Sequence, residues 1–327
     1  MYAKRNYSFL MTFRWSMRPF ILGALAGLIL IGVKEFYGYE LRMPWQPLSI
    51  IGVAVAFYLG FKNNSSYDRT WEARKIWGSI VNNSRSFGVA VISHIHGEKA
   101  RDIRKELIYR HIAWMVSLTY QLRLSRPWEH VNERLNIYSA EICDAYHNTL
   151  SGSLQPYLTD KEILDHTSRS NTAVHILKQQ SLRLQQLFHE GYLSDYKHIA
   201  LQKYIDSFYE DQGKSERIKN FPFPRQYAST ALWLTWMFSI LVPFGLMDVF
   251  RNTEGYFAWL TVPLSGLLIW VFFLMEKIGD YSENPFEGSY NDVPISTISR
   301  AIEIDLREMI EDKNIPAPIP AINGYQL

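Results

Sequence analysis

The sequence predicts an all-α membrane protein, with four transmembrane helices and a large cytoplasmic helical bundle. Three observations predict it. Residues 226–247 and 255–275 are uncharged runs of 22 and 21 residues, and a spanning helix needs about 20 apolar residues. Two shorter runs, 19–33 and 45–61, are uncharged over 15 and 17 residues. The long section between the second and third runs is polar, yet its apolar residues recur at helical spacing and show no sustained alternation. At 327 residues, with 47% hydrophobic and 20% charged, the chain exceeds one small domain. The expected division is 1–61 (N-terminal segment and spans one and two, with the neck at 45–61), 62–224 (cytoplasmic helices), 225–276 (spans three and four) and 277–327 (cytoplasmic helix and tail).

Taken in order, residues 7–18 are aromatic and basic, which predicts an interfacial helix lying on the membrane surface. Span one follows over residues 19–37. Lys34 snorkels at its end with Glu35 at the same interface, and Gly23, Ala24, Ala26 and Gly27 favour close helix contact. Despite Lys4, Arg5, Arg14 and Arg18, no small-residue cleavage site follows the run, so it is expected to be retained. The next stretch, 45–85, reads as one helix, apolar to Phe61 and polar from Lys62, with Pro47 in its first turn where a missing N–H costs nothing. Val53, Phe57 and Phe61 recur every four residues on one face of it, among the small residues Gly52, Ala54, Ala56 and Gly60. By spacing alone such a stripe reads as packing core.

Beyond it, residues 100–123 carry Ile103, Leu107, Ile108, Ile112, Val116 and Leu118 near helical spacing. Residues 131–150 repeat the pattern with Leu135, Tyr138, Ile142 and Ala145. A loop is expected at 151–160, then helices at 172–190 and 195–211. The alternating prolines and aromatics of 221–227 predict an extended lead into span three. Spans three and four each contain a proline, Pro243 and Pro263, and no ionisable residue, which argues against a proton relay or charged-substrate site within them. One amphipathic helix, 295–310, precedes a Pro-rich arm. Basic residues collect before span one, after span two (Lys62, Arg69, Arg74, Lys75) and before span three (Arg217, Lys219, Arg225). Both termini are therefore expected in the cytoplasm, with a multi-pass chain in the cell (inner) membrane.

Several function classes are disfavoured. A net charge of +2 gives no reason to expect nucleic acid. The single Cys143 excludes an internal disulfide framework and any multi-Cys metal site. His94 and His96 face different sides of a helix and read as solvated surface. No GxSxG, HExxH, Walker or GxGxxG motif is present, so neither an enzyme nor a cofactor is expected.

The run FYLGFKNNSSYDRTWEARKIWG resembles the second-helix signature of the bacterial branch of the bestrophins. GKSERIKNFPFPRQY before span three, and ENPFEGSYNDVP followed by AIEIDLREM after span four, resemble the same family in the same order. The resemblance implies a homopentameric ion channel with one central pore, with membrane lipid and small monovalent ions as its other partners. It implies a neck ringed by Val53, Phe57 and Phe61, and a cytoplasmic aperture at Phe223, where an aromatic replaces the family's usual Ile or Val. Asp68 and Glu72 continue the pore-facing spacing as vestibule charges, beside Arg69 and Arg74, so mutual salt bridging is the alternative. Animal members bind calcium in an acidic loop after Asn-Pro-Phe. Here Asn284-Pro285-Phe286 is followed only by Glu287 and Asp292, a weak calcium set against six to eight oxygen ligands. The resemblance suggests chloride or other small anions. A monovalent cation (sodium) channel of the same architecture and a non-conducting scaffold are the alternatives.

Overall fold

The computed structural model describes residues 1–130, 150–251, 255–289, 291–322 and 324–327. The helix expected over 131–150, and Cys143, lie outside them apart from residue 150. Among the described residues the regular structure is helical, with only isolated β-bridges, Tyr2 to Tyr325 and Ile322 to Tyr325. The helices are α1 (Phe9–Tyr37), α2 (Trp45–His94), α3 (Ala100–Arg123), α4 (Leu150–Leu154), α5 (Asp160–Thr167), α6 (Thr172–His189), α7 (Asp195–Asn220), α8 (Arg225–Val249), α9 (Thr261–Asp280) and α10 (Ile295–Met309). The chain divides into two compact units, one of residues 1–3, 70–221 and 284–327, the other of residues 4–69 and 222–283. The division falls within α2.

In the second of these units, α1 packs along α9 because glycines allow it. A Cβ on Gly23 would stand 2.9 Å from the Ser265 carbonyl, and one on Gly27 would stand 3.0 Å from the Thr261 carbonyl. The expected interfacial lead-in is not a separate element: α1 starts at Phe9 and runs unbroken through Pro19. A helical proline leaves the carbonyl four residues earlier without its N–H. That carbonyl is Trp15's, and it accepts instead from Lys277 Nζ at 3.1 Å, the same ammonium lying 4.3 Å from the Trp15 ring centroid. Pro263 needs no such repair, since a 3-10 segment (Gly255–Leu260) precedes α9 and puts the proline in its first turn. The core of this unit joins Leu48, Val55 and Leu59 of α2 to Ala231, Phe238, Val242 and Leu246 of α8 and Ile269 of α9. Gly52 admits the Phe238 ring, whose nearest atom would lie 2.8 Å from an added Cβ. The Asp248 carboxylate caps the start of α2, accepting from Trp45 N–H at 3.2 Å.

Among the described residues, three helical segments are long and apolar enough to cross a membrane: Phe9–Tyr37, Arg225–Val249 and Tyr256–Asp280. The apolar start of α2 is not among them.

The first unit has an aromatic core, with Trp77 and Phe87 from α2, Trp114 from α3 and Phe208 from α7 all fully buried. Trp114 Nε1 donates to Gln212 Oε1 at 2.9 Å, which satisfies the one polar atom of that ring. α3 spans the residues its periodicity predicts. Two elements differ from expectation. The segment 151–160 is not simply loop, since α4 covers its start and Thr159 with Glu162 forms a capping box on α5. α7 continues past Asp211 to Asn220. Gly213 inside it has open space where a side chain would be, so it costs helix propensity without breaking the helix. The two chain ends pair in this unit: Ala3 N–H donates to Gly324 O at 2.7 Å and Gln326 N–H to Met1 O at 2.8 Å.

Candidate functional site

α2 has two unlike faces. Leu48, Gly52, Val55, Leu59, Lys62 and Ser66 are buried at helical spacing. On the other face Val53, Phe57 and Phe61 are 61%, 67% and 68% exposed, the two phenyl rings 6.1 Å apart and tilted. Among the described residues of the single chain, none covers this stripe. Further along the helix the exposed positions turn polar. Asp68 is exposed and accepts only weakly from Asn64 Nδ2, at 3.5 Å. Glu72 is half-buried and pairs with Lys75 at 2.6 Å, so its charge is locally balanced by a neighbour other than the two arginines considered from sequence.

At Lys62 the buried face of α2 meets an ion cluster. Lys62 Nζ lies 2.8 Å from Glu276 Oε1 and 3.7 Å from Asp280 Oδ1, both on α9. Near it Glu283 is fully buried, its Oε1 accepting from Arg225 at 2.7 Å and its backbone carbonyl from Arg69 Nε at 2.9 Å. Glu283 Oε2 has no hydrogen-bond partner. Burial, helped by the Asp280 charge, pushes this carboxyl up to about 7 against the pull of Arg225 and Lys62. None of these pairings was singled out from the sequence, where Lys62 and Arg225 counted only as topology signals and Arg69 also as a salt-bridge candidate for Asp68 and Glu72. One signal was present: Lys62 falls three residues after Leu59 and seven after Val55, on the buried stripe.

Phe223 is 6% exposed, edge-on to Tyr227 with ring centroids 6.3 Å apart. It therefore does not share the uncovered character of the three α2 residues.

The loop after Asn284-Pro285-Phe286 turns its acids inward. Asp292 is buried and accepts from Arg123 at 3.2 Å, from Ser289 Oγ at 2.6 Å and from the Gly288 N–H at 2.5 Å. Glu287, also buried, accepts from the His130 N–H at 3.2 Å, with the His130 ring Nδ1 3.3 Å away. A calcium ion needs six or more oxygens, whereas these carboxylates already face cationic or N–H partners. The donor set does not fit calcium. No cluster of three or more His, Cys, Asp or Glu suited to a metal occurs among the described residues.

The helical fold and its apolar segments define the class as a helical membrane protein. The family model described as "Bacterial/Fungal Bestrophin protein" matches residues 15–308, and the chain belongs to that family, one of channels and not of enzymes. Among curated relatives it is 26% identical over 318 residues to the "Voltage-dependent anion channel-forming protein RSc3414" of Ralstonia nicotianae, covering 94% of this chain and 93% of the relative. It is 28% identical over 308 residues to the "Voltage-dependent anion channel-forming protein YneE" of Escherichia coli K12, covering 94% and 90%. Of solved structures, a bacterial bestrophin homolog from Klebsiella pneumoniae shares the fold with a TM-score of 0.75 at 23% identity, covering 90% of this chain and 98% of that one.

Proposed function

We propose that the protein is a homopentameric channel for chloride or other small monovalent anions, with a hydrophobic neck formed by Val53, Phe57 and Phe61. The observation that carries this reading is the uncovered stripe on α2. Three large apolar side chains lie bare on a helix whose opposite face is packed, and the same exposed side turns polar at Asn64 and Asp68. That change marks where the helix leaves the bilayer for water, and a pore running along the stripe would pass there from apolar neck to polar vestibule. Symmetry-related copies meeting on an axis would bury the stripe against itself. A narrow ring of apolar side chains offers water no hydrogen bonds, so it dewets and blocks ions until it widens. Family membership and the anion-channel names of the relatives support the ion class.

The reading gives the chain four spans, α2 supplying the fourth, in the cell membrane with both termini and the segments 62–224 and 277–327 in the cytoplasm. It makes Phe223 the lower restriction, a role that requires its ring to leave the Tyr227 edge. A sodium-conducting channel of the same architecture is the second reading. It is favoured by Asp68, an exposed carboxylate with no ion pair among the described residues, on the same helix as the stripe. Reversal potentials of the purified protein in bilayers under asymmetric NaCl separate the two by the sign of the shift. No ion flux from a correctly assembled oligomer would overturn both in favour of a scaffold. Val53→Ala/Phe57→Ala/Phe61→Ala is expected to raise unitary conductance, and unchanged currents would remove the neck from the account.

A further inference from the structure

We propose that Lys62, held by Glu276, fixes the rotation of α2 at Phe61 and is thus a positioning residue for the neck. This rests on the reading of Val53, Phe57 and Phe61 as pore-lining. Lys62 follows Phe61 directly, about 100° further round the helix, so any rotation that moves one moves the other.

Within the single chain, no contact among the described residues limits that rotation on the uncovered side. A side chain added at Gly60 would meet nothing within 4 Å, and Phe57 and Phe61 touch only each other there among the ring contacts described. Restraint on this turn comes from the opposite face. There Leu59 offers apolar contact, which has little angular preference. Lys62 offers a charge-assisted hydrogen bond of 2.8 Å to Glu276 Oε1, which is short and directional. Asp280 Oδ1 stands 3.7 Å from the same ammonium, one turn along α9 from Glu276. Two carboxylates four residues apart therefore bracket Lys62 along the α9 axis, and sliding or turning α2 lengthens at least one of the two contacts. The next residue reinforces the register. A Cβ on Gly279 would fall 2.1 Å from Asn63 Oδ1, so α9 carries a glycine where Asn63 closes on it. Apolar packing supplies the stability of this turn, and the ion pair supplies its angle.

The test replaces the pair by apolar side chains of similar size, Lys62→Met with Glu276→Leu, which removes both charges of the buried pair while the part-exposed Asp280 loses its Lys62 contact. Assembly is read by native mass spectrometry and function by single-channel recording. The expected result is an intact oligomer whose open fraction differs from the parent by roughly five-fold or more, with Lys62→Arg, which keeps the charge pair, staying at the parent value. An assembled pair variant with parental open fraction and conductance would overturn the proposal. If the apolar pair does not assemble, Glu276→Asp, which keeps both charges but draws the acceptor back by one methylene, is judged by the same two outcomes. The triple alanine neck variant separates the failures. If it alters conductance while the pair variant does not, only the role of Lys62 falls. If neither alters it, the neck reading falls first.

Discussion

In the unit built from α1, α8, α9 and the start of α2, the buried base is Lys62, 2% exposed and ion-paired to Glu276. In the unit built around α3 and α7, where Arg110, Arg123, Lys219 and Arg307 are buried as well, the contrasting base is His111, 1% exposed. Its Nε2 lies 2.9 Å from Ser84 Oγ, and its ring lies 4.4 Å from Phe208 and 5.2 Å from both Phe87 and Trp114. Burial depresses the His111 pKa to about 3, so the ring stays neutral at ordinary pH. One base is kept as a charge because α9 presents two carboxylates to it. The other is kept neutral because its neighbours are aromatic rings and a hydroxyl. Burial alone says nothing about which will happen; the partners decide.

Removing one member of the ion pair is the harshest challenge to that contrast. Glu276→Leu alone leaves a lysine buried without its nearer partner, which costs about 3–5 kcal/mol. The expected outcome is loss of assembled protein or a large fall in melting temperature, with α1, α8 and α9 losing hydrogen-exchange protection first. Restoration by the added Lys62→Met change would confirm that the stranded charge is the cause.

Acid tests the histidine. The sign follows from a folded pKa near 3 against about 6.5 unfolded: the neutral ring stabilises the fold above pH 6.5, and this is lost as pH falls toward 3. At pH 5 the loss is about 2 kcal/mol. Peptide-resolved hydrogen exchange should show α3 and α7 loosening between pH 6.5 and 5, and His111→Gln should flatten the dependence. A pH-independent α3 in the parent would contradict the neutral-ring account.

Glu283 should respond in the opposite direction and less strongly. Its carboxyl is raised to about 7 from 4.5, so its contribution is fully present below pH 4.5 and is lost as pH rises through about 7. The Arg225 charge and hydrogen bond oppose that rise and limit the effect. Over the mildly acidic range the two units should therefore shift in opposite senses, and Glu283→Gln should remove the response of the second. The smallest expected effect is none at all. Because Arg123 and His130 already occupy Asp292 and Glu287, chelating calcium or adding it at millimolar level should leave channel currents unchanged, and a reproducible calcium response would overturn that assignment.

The site was only partly legible in the residues. The Val53, Phe57 and Phe61 stripe stands out by four-residue spacing, yet spacing does not distinguish packed core from bare surface. Exposure makes that distinction, and it depends on what α8 and α9 cover. Asp68 and Glu72 look equivalent in sequence, but Lys75 pairs only with the second. Phe223, expected at an aperture, is buried beside Tyr227 in the single chain. Lys62 looked like a solvated topology charge because the acids that hold it lie more than two hundred residues later, at Glu276 and Asp280.

By itself the sequence determined the helical class, the long apolar runs, the extent of α3 and the family, because periodicity, run length and local motifs act over a few turns of chain. Tertiary structure decided which face of α2 stays bare, which carbonyl Lys277 satisfies below Pro19, and whether a buried base is charged or neutral. Those outcomes are sums over neighbours brought from distant segments, and a linear pattern carries no record of such distances.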